Sequence, residues 1–277
     1  MICTTNSSRF CTAVVLATLV ATLGVAFGHA WSPDSGQASG RASYSLSPAV
    51  VAARPGKLPA VMLWAWERPE DLSSIDPHRA GVAFLARSVS PRRDGVYVSP
   101  RLQPLQLAPG TRLEAVVRVE AAANASLSPK QLEETARAIA EAAQAPGLSG
   151  LQIDFDATRS QRDFYRALIG DVRREIRPAL SLSITALASW CLGDDWLRGL
   201  PIDDAVPMLF RMSAGTREIA AHIESGADFR ESVCRQSLGV ATDEPLANLP
   251  AGRRLYIFSP RAWTPGAAQL ATQMVRP

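Results

Sequence analysis

The chain has 277 residues, of which 47% are hydrophobic and 20% are charged, and its net charge is +3. This composition is typical of a soluble globular protein with a sizeable core. Because no block of Lys and Arg residues and no basic helix stands out, the sequence lacks the electrostatic pattern of a nucleic-acid-binding protein.

The N-terminal segment has the layout of a secretory signal peptide. Arg9 is the sole Asp, Glu, Lys or Arg residue before position 31, an apolar run extends from Cys11 to Gly28, and small residues flank His29. An uncleaved membrane anchor is the alternative, since the run is near the lower length limit for spanning a bilayer. Ala, Thr and Gly dilute the run, so we predict a signal peptide at residues 1–30 and export to the periplasm or beyond.

The remainder of the chain divides into a linker and one domain. Residues 31–57 are rich in Ser, Gly, Ala and Pro and lack a clear period, which predicts a flexible linker. Residues 58–277 contain eight strand-like runs, at 59–66, 81–89, 112–120, 151–156, 180–188, 204–212, 237–242 and 254–260. The stretch 95–100 predicts a short extra strand or one arm of a hairpin.

Helical patterns lie between several of these runs. Ser128 to Gln131 (SPKQ) predicts a capped helix start, and that helix extends to about residue 145. Further helices are predicted between Ser160 and Pro178, over residues 216–224, and from Thr264-Pro265 onward. Strands that alternate with helices predict a parallel sheet, and eight strands in this length favour a single (β/α)8, TIM-like barrel. The second and third strands lack a helix between them, which predicts a distorted barrel.

The fourth predicted strand carries the candidate catalytic residues. In the stretch GLQIDFDA (150–157) apolar and polar residues alternate: Leu151, Ile153 and Phe155 against Gln152, Asp154 and Asp156. We expect the polar row to face the barrel lumen, with Asp156 nearest the carboxyl-terminal mouth, where barrel enzymes have their active sites. Two carboxylates this close can differ in pKa, so that one acts as an acid while its neighbour stays charged.

Two other interpretations of the aspartates stay open. In the first, both aspartates are structural: Asp156 caps the following turn, and Asp154 forms a buried salt bridge to an arginine. Structural ion pairs also shift the pKa of carboxylates, so a shifted pKa does not by itself indicate catalysis. Alternatively the two side chains would hold a divalent cation, although no further oxygen ligands cluster in the sequence. We predict no metal site and no cofactor.

The stretch LSGLQIDFD (148–156) resembles the strand-four signature of glycoside hydrolase family 18. Gly150, Leu151 and Ile153 match that signature; Asp154 falls on its third Asp, and Asp156 on the catalytic acid. Over about residues 58–265, with SITALASWC at 183–191, the chain also resembles an uncharacterised family of secreted bacterial proteins, a domain of unknown function. The resemblance implies a barrel that acts on glycosidic bonds.

The match departs from the hydrolase signature at its acidic positions. Ser149 and Gln152 replace its first two acidic residues, and Asp156 stands where the family has Glu. The carboxyl group of Asp156 therefore lies about 1.5 Å further back along the side chain, a displacement that catalytic geometry tolerates poorly. The sequence leaves open a different glycosidic substrate, a partner carboxylate on another strand, or a barrel that binds polysaccharide without catalysis.

Other side chains near the predicted strand ends are candidates for substrate binding. Flat aromatic rings stack on sugars, although core packing is the commoner use of Trp. Glu67 would supply a second carboxylate or pair with Arg68, and Arg211 would neutralise Asp154 or Asp156. The candidate substrate-binding residues are Trp64, Trp66, Glu67, Trp190, Arg211 and Trp263.

The mature chain retains two cysteines, Cys191 and Cys234. In an exported protein they would form a disulfide, and two separate buried thiols are the alternative. The sequence thus predicts an exported monomer whose partner is a carbohydrate ligand or substrate, with no nucleic acid and no membrane contact after cleavage.

Overall fold

The computed structural model describes residues 57–212, 216–246 and 248–273. The predicted signal peptide at 1–30 and the predicted linker at 31–57 lie outside these residues, except for Lys57. Across the described ranges, every helix is too short or too polar to cross a membrane.

Eight parallel strands form a closed barrel. The described residues contain eleven strands, eight of which belong to the barrel: β1 (Val61–Ala65), β2 (Glu70–Leu72), β3 (Ala80–Arg92), β4 (Gly95–Pro100), β5 (Leu105–Leu107), β6 (Arg112–Val119), β7 (Leu148–Asp154), β8 (Ser181–Leu187), β9 (Asp204–Met208), β10 (Ser237–Ala241) and β11 (Arg254–Phe258). The order β1-β11-β10-β9-β8-β7-β6-β3 runs around the sheet, and pairing of β1 with β3 closes it. The prediction of eight parallel barrel strands is therefore confirmed.

Three strands lie outside the barrel and occupy connections that lack helices. β4 pairs antiparallel with β3, which confirms the hairpin arm predicted at residues 95–100. β2 and β5 form a separate parallel pair that the sequence did not predict. Each of these two strands has three residues, too few to show a hydrophobic period.

In the described ranges, five α-helices follow individual barrel strands and pack outside the barrel. They are α1 (Pro129–Ala142), α2 (Arg162–Glu175), α3 (Ala188–Gly193), α4 (Thr216–Glu224) and α5 (Pro265–Gln273), after β6, β7, β8, β9 and β11. The connections after β1, β3 and β10 contain no α-helix in the part of the chain described. The architecture is therefore a closed parallel barrel with fewer outer helices than strands. The connection between β3 and β6, where the sequence lacked a helix, is one of the three without one.

The start of α1 shows how local sequence sets an element. The Ser128 side chain accepts a hydrogen bond from the Gln131 backbone N at 3.3 Å, and the Gln131 side chain accepts one from the Ser128 backbone N at 3.4 Å. Pro129 occupies the first helical turn, where its missing N–H costs nothing. The predicted capping box is confirmed.

Alternating side chains give each barrel strand two apolar environments. Leu151, Ile153 and Phe155 pack in the outer core against the helices, and Phe155 meets Tyr165 of α2 with ring centroids 5.0 Å apart. A second, inner cluster fills part of the lumen with the buried side chains Met62, Trp64, Ala83, Val116, Val206 and Tyr256. The prediction that the apolar row of β7 faces the helices is confirmed.

Candidate functional site

A cleft of about 380 Å³ opens at the carboxyl-terminal mouth of the barrel. Its walls come from the last residues of β1, β6, β7, β8, β9 and β11 and from the segments that follow them. In parallel barrels this mouth is where side chains from different strands converge. The cleft contains Asp154 and Asp156, the two candidate catalytic residues.

Asp154 is the last residue of β7 and is held on both of its carboxylate oxygens. Arg118 of β6 donates from Nη1 to Oδ2 at 2.8 Å, and Thr185 of β8 donates from Oγ1 to Oδ1 at 2.7 Å. The residue is 3% exposed, so the ion pair and the hydroxyl replace the water that its charge has lost. Asp154 is therefore a fixed part of the cleft wall.

Asp156 lies two residues beyond β7 and is exposed to the cleft. Its carboxylate forms no ion pair with any residue that the structure describes. Partial burial raises the pKa of Asp156, and the neighbouring charge of Asp154 raises it further, while Arg118 opposes the shift. Asp156 thus combines access to a ligand with a carboxyl group that keeps its proton to higher pH than an ordinary aspartate.

A chain of hydrogen bonds connects the cleft floor to the lumen below. Trp64 donates from Nε1 to Gln152 Oε1 at 2.8 Å, and Gln152 donates from Nε2 to Ser183 Oγ at 3.1 Å. Ser183 then donates to Glu114 Oε1 at 2.8 Å. Because each donor has a defined acceptor, the chain fixes the Trp64 indole in the cleft floor.

Glu114 ends this chain in the fully enclosed part of the lumen. Burial raises the pKa of Glu114 to about 7, against the opposing effect of the Ser183 hydrogen bond. Nearby, burial raises the pKa of Asp204 to about 6, although Ser237 donates to its Oδ2 at 2.5 Å and Arg254 lies 3.4 Å from the same oxygen. These two buried acids lie outside the cleft lining.

From the end of β8 round to β11, the cleft lining is mainly apolar. Phe210 and Phe258 stack with centroids 5.3 Å apart and an interplanar angle of 5°. The other aliphatic and thioether side chains here end β8 and β9, follow β9 or lie on α4: Leu187, Met208, Met212 and Ile219. The sequence pattern indicates none of these as site residues.

Three of the predicted substrate-binding residues lie at the cleft. Trp64 is buried in its floor, and Trp66 is half-buried on its wall. Arg211 also lines the cleft, but its guanidinium pairs with Asp243 at 2.6 Å and with Glu244. The expectation that Arg211 neutralises Asp154 or Asp156 is corrected: Arg118 fills that role for Asp154.

The structure does not bring Trp190, Trp263 and Glu67 to the cleft lining. Trp190 is buried and packs edge-on against Trp196 at 4.8 Å. Trp263 is 2% exposed and donates from Nε1 to the Trp64 carbonyl at 2.7 Å. Both indoles are thus enclosed by protein, so no sugar face can stack on them.

Glu67 has a local role in the loops above the barrel. Its Oε1 accepts hydrogen bonds from the backbone N of Leu102 at 2.9 Å and of Gln103 at 3.1 Å. It therefore fastens the segment between β4 and β5 to the end of β1, and it does not supply a second carboxylate to the cleft.

Arg118 is the main site residue that sequence analysis missed. It lies on the same strand face as Glu114 and Val116, so the period-two pattern of residues 112–120 already pointed its side chain inward. Its partner was hidden because strand pairing determines it: Arg118 and Asp154 stand opposite each other in the register of β6 and β7.

The two cysteines of the domain are bonded to each other, and the described residues form no cluster of metal ligands. Cys191 of α3 and Cys234 are joined by a disulfide across 43 residues of chain. Among the described residues, no group of three or more His, Cys, Asp or Glu side chains is placed to hold a metal ion.

Comparison of the chain with protein-family models, curated proteins and solved structures finds no match.

Proposed function

We propose that this protein is a glycoside hydrolase-like enzyme of the TIM-like (β/α)8 class that acts on a polysaccharide or glycoconjugate. The observation that carries the proposal is the pairing of an accessible Asp156 with a fixed Asp154 at the barrel mouth. The resemblance of residues 148–156 to the family 18 signature points to the same strand and the same two positions.

Asp156 is the proton donor in this proposal. A glycosidic oxygen that enters the cleft accepts its proton as the bond to the anomeric carbon breaks, and the raised pKa lets Asp156 keep that proton to higher pH than an ordinary aspartate does. The neighbouring Asp154 contributes to that raised pKa and so disfavours early loss of the proton. Arg118 and Thr185 hold Asp154 in that position.

In this proposal the nucleophile is not a carboxylate of the protein. The cleft lining contains Asp154 and Asp156 but no third carboxylate among the described residues. Because Asp154 is engaged by two donors, the attacking group would be water or a neighbouring group of the substrate itself.

The same observation favours a second candidate, a polysaccharide-binding barrel without catalysis. A single accessible carboxylate, one methylene shorter than Glu, would then orient a sugar by hydrogen bonding. Trp66 provides a half-buried aromatic surface in the same cleft.

The proposed setting is outside the cytoplasm. The N-terminal sequence supports export with removal of residues 1–30, and a disulfide between Cys191 and Cys234 suits an oxidising compartment. We propose that the exported chain acts as a monomer with a carbohydrate partner and without nucleic acid or membrane.

Reducing-end release from a panel of polysaccharides and glycoconjugates tests the enzyme. We expect the wild-type protein to hydrolyse at least one substrate and Asp156→Asn to lose at least ~100-fold in rate, the usual range for a general acid. Asp163→Asn is the matched control, since Asp163 lies in the first turn of α2 and outside the cleft lining. Equal rates for wild type and Asp156→Asn would exclude Asp156 as the acid, whereas binding without turnover in both would support the second candidate.

A further inference from the structure

The cleft lining divides into two contiguous arcs along the strand order of the barrel. The polar arc lies on β6, β7 and the inner face of β8 and consists of Arg118, Asp154, Asp156 and Thr185. The apolar arc runs from the end of β8 across β9 to β11 and consists mainly of Leu187, Met208, Phe210, Met212, Ile219 and Phe258, with Ser189 and Arg211 as the polar residues in this stretch of the lining. A ligand that crosses the cleft therefore meets opposite chemistries at its two ends.

The aromatic rings of the apolar arc are unsuited to sugar stacking. Phe210 and Phe258 stack on each other, and the Arg68 guanidinium lies 6.0 Å from the Phe258 ring. Trp64 lies at 6.0 Å from Phe210 in a tilted arrangement. The faces that a pyranose ring would use are therefore taken up largely by protein.

The remaining members of the apolar arc are flexible or branched aliphatic side chains. Leu187 is 39% exposed at the mouth, and the thioethers of Met208 and Met212 adapt to irregular apolar shapes. The cationic group beside this arc, Arg211, already pairs with Asp243 and Glu244. Sugar hydroxyls placed here would lose hydration with few partners to replace it.

From this division we infer that the cleft takes a glycoside with an apolar aglycone, an alkyl or acyl chain, and that the sugar lies on the polar arc. The inference rests on the proposed function and names its substrate class. The glycosidic oxygen then lies at Asp156, and the chain extends over Leu187, Met208 and Phe210. A volume of about 380 Å³ is near the lower end of small-molecule sites and suits one sugar with a short chain.

Paired alkyl glycosides test this substrate class. Methyl and octyl glycosides of glucose, galactose, mannose and N-acetylglucosamine, with octyl tetraethylene glycol ether as a sugar-free chain, are titrated below their micelle-forming concentrations by calorimetry. For at least one sugar we expect the octyl glycoside to bind ~10-fold or more tightly than the methyl glycoside, and more tightly than the ether. Equal binding of methyl and octyl glycosides, equal binding of the ether, or no binding of any octyl glycoside overturns the inference.

Two leucine variants locate the chain. Leu187→Ser should weaken binding of the octyl glycoside by ~5-fold and leave the methyl glycoside unchanged, because a partly exposed side chain loses its contact with the alkyl group. Leu270→Ser, a change at a 66% exposed leucine on α5, is the matched control and should alter neither. Loss of octyl binding in both variants, or in neither, contradicts the placement.

Asp156→Asn separates this inference from the proposed function. If the variant binds the octyl glycoside as the wild type does and neither protein hydrolyses it, the substrate class stands and the hydrolase proposal fails. If the wild type cleaves a polysaccharide yet binds no octyl glycoside, the hydrolase proposal stands and the apolar aglycone is excluded.

Discussion

Arg118 and Asp154 stand directly opposite each other on β6 and β7, and a 2.8 Å ion pair joins their side chains. The asymmetry of their burial determines what the pair does: the Arg118 side chain is 37% exposed, whereas that of Asp154 is 3% exposed. Arg118 therefore compensates the charge of a carboxylate that has lost its water. Because the register of β6 and β7 sets these two residues opposite each other, strand pairing also fixes the position of Asp154 in the cleft wall.

Removal of this arginine should destabilise the protein. Arg118→Met retains the aliphatic stem but leaves Asp154 buried without its cation, and we expect a loss of about 2 kcal/mol in the free energy of unfolding, reduced from fully buried cases by solvent access. Urea denaturation measures it. Arg137→Met, at an exposed helical ion pair, is the control and should change stability by less than about 0.5 kcal/mol.

Adding Asp154→Asn to Arg118→Met should recover part of this loss, since no uncompensated charge then remains. A double variant less stable than Arg118→Met alone would show that the Asp154 carboxylate stabilises the fold even without the arginine, and the loss in Arg118→Met would then not come from an uncompensated charge.

The pH dependence of activity should report Asp156. As a proton donor it must be protonated, so the rate should fall as pH rises through its raised pKa. Arg118 lowers that pKa, so in Arg118→Met the alkaline limb of the pH–rate profile should move to higher pH. A limb at the same pH in both proteins would mean that another group controls it.

The stability of the fold should fall as the solution passes from mildly acidic to neutral pH. The pKa of Glu114 is about 7 in the folded chain and close to 4.5 when unfolded. The folded state thus binds an extra proton between these values, and the associated stability is complete below pH ~4.5 and is lost as pH rises to ~7. The total is on the order of 3 kcal/mol.

Glu114→Gln keeps an acceptor for Ser183 and removes the titrating group, so its unfolding free energy should vary less between pH 4.5 and 7 than that of the wild type. Asp204, with a pKa of about 6, accounts for part of the slope that remains. Glu133→Gln on the exposed face of α1 is the control. An unchanged slope in Glu114→Gln would place the proton uptake elsewhere.

Gly239 makes room for the cleft floor. A Cβ atom there would lie 2.9 Å from Trp64 Cη2 and 3.4 Å from the Met208 Cα. Because Gln152 holds the indole by a hydrogen bond, it cannot move away freely, and Gly239→Ala should cost about 1–3 kcal/mol. Near-UV circular dichroism and urea denaturation measure the effect.

Gly193→Ala supplies the comparison for that substitution, because an added Cβ meets nothing within 4 Å. We expect it to be neutral or stabilising by up to about 1 kcal/mol. Equal stability of the two alanine variants would mean that Trp64 has more freedom than its contacts indicate.

The disulfide should contribute strongly to stability, since it spans 43 residues and joins the segments after β8 and β9. The double variant Cys191→Ala/Cys234→Ala should lose about 2–5 kcal/mol. Both cysteines are fully buried, so a thiol reductant should act on the wild type only under conditions that unfold it. Equal unfolding midpoints for wild type and double variant would argue against the bond.

The amino-acid sequence by itself determined the number of barrel strands and the direction in which β7 points its side chains. These features follow from local rules. Alternation with period two places Leu151 and Ile153 on one face of β7 and Asp154 on the other. In the same way, the capping box of Ser128 and Gln131 begins α1 whatever the helix packs against. The sequence also indicated the connection between β3 and β6 as one that lacks a helix, whereas the helix-free connections after β1 and β10 were not singled out.

The tertiary structure alone decided which side chains meet. Arg118 reaches Asp154 through strand register, and Arg211 pairs instead with Asp243 and Glu244. Trp190 packs against Trp196, and Trp263 donates to the Trp64 carbonyl, so both indoles are buried. Burial of an indole is favourable whether it packs against protein or against a sugar. Composition therefore cannot tell a core Trp from a sugar-binding Trp, and only the tertiary structure shows which role each one has.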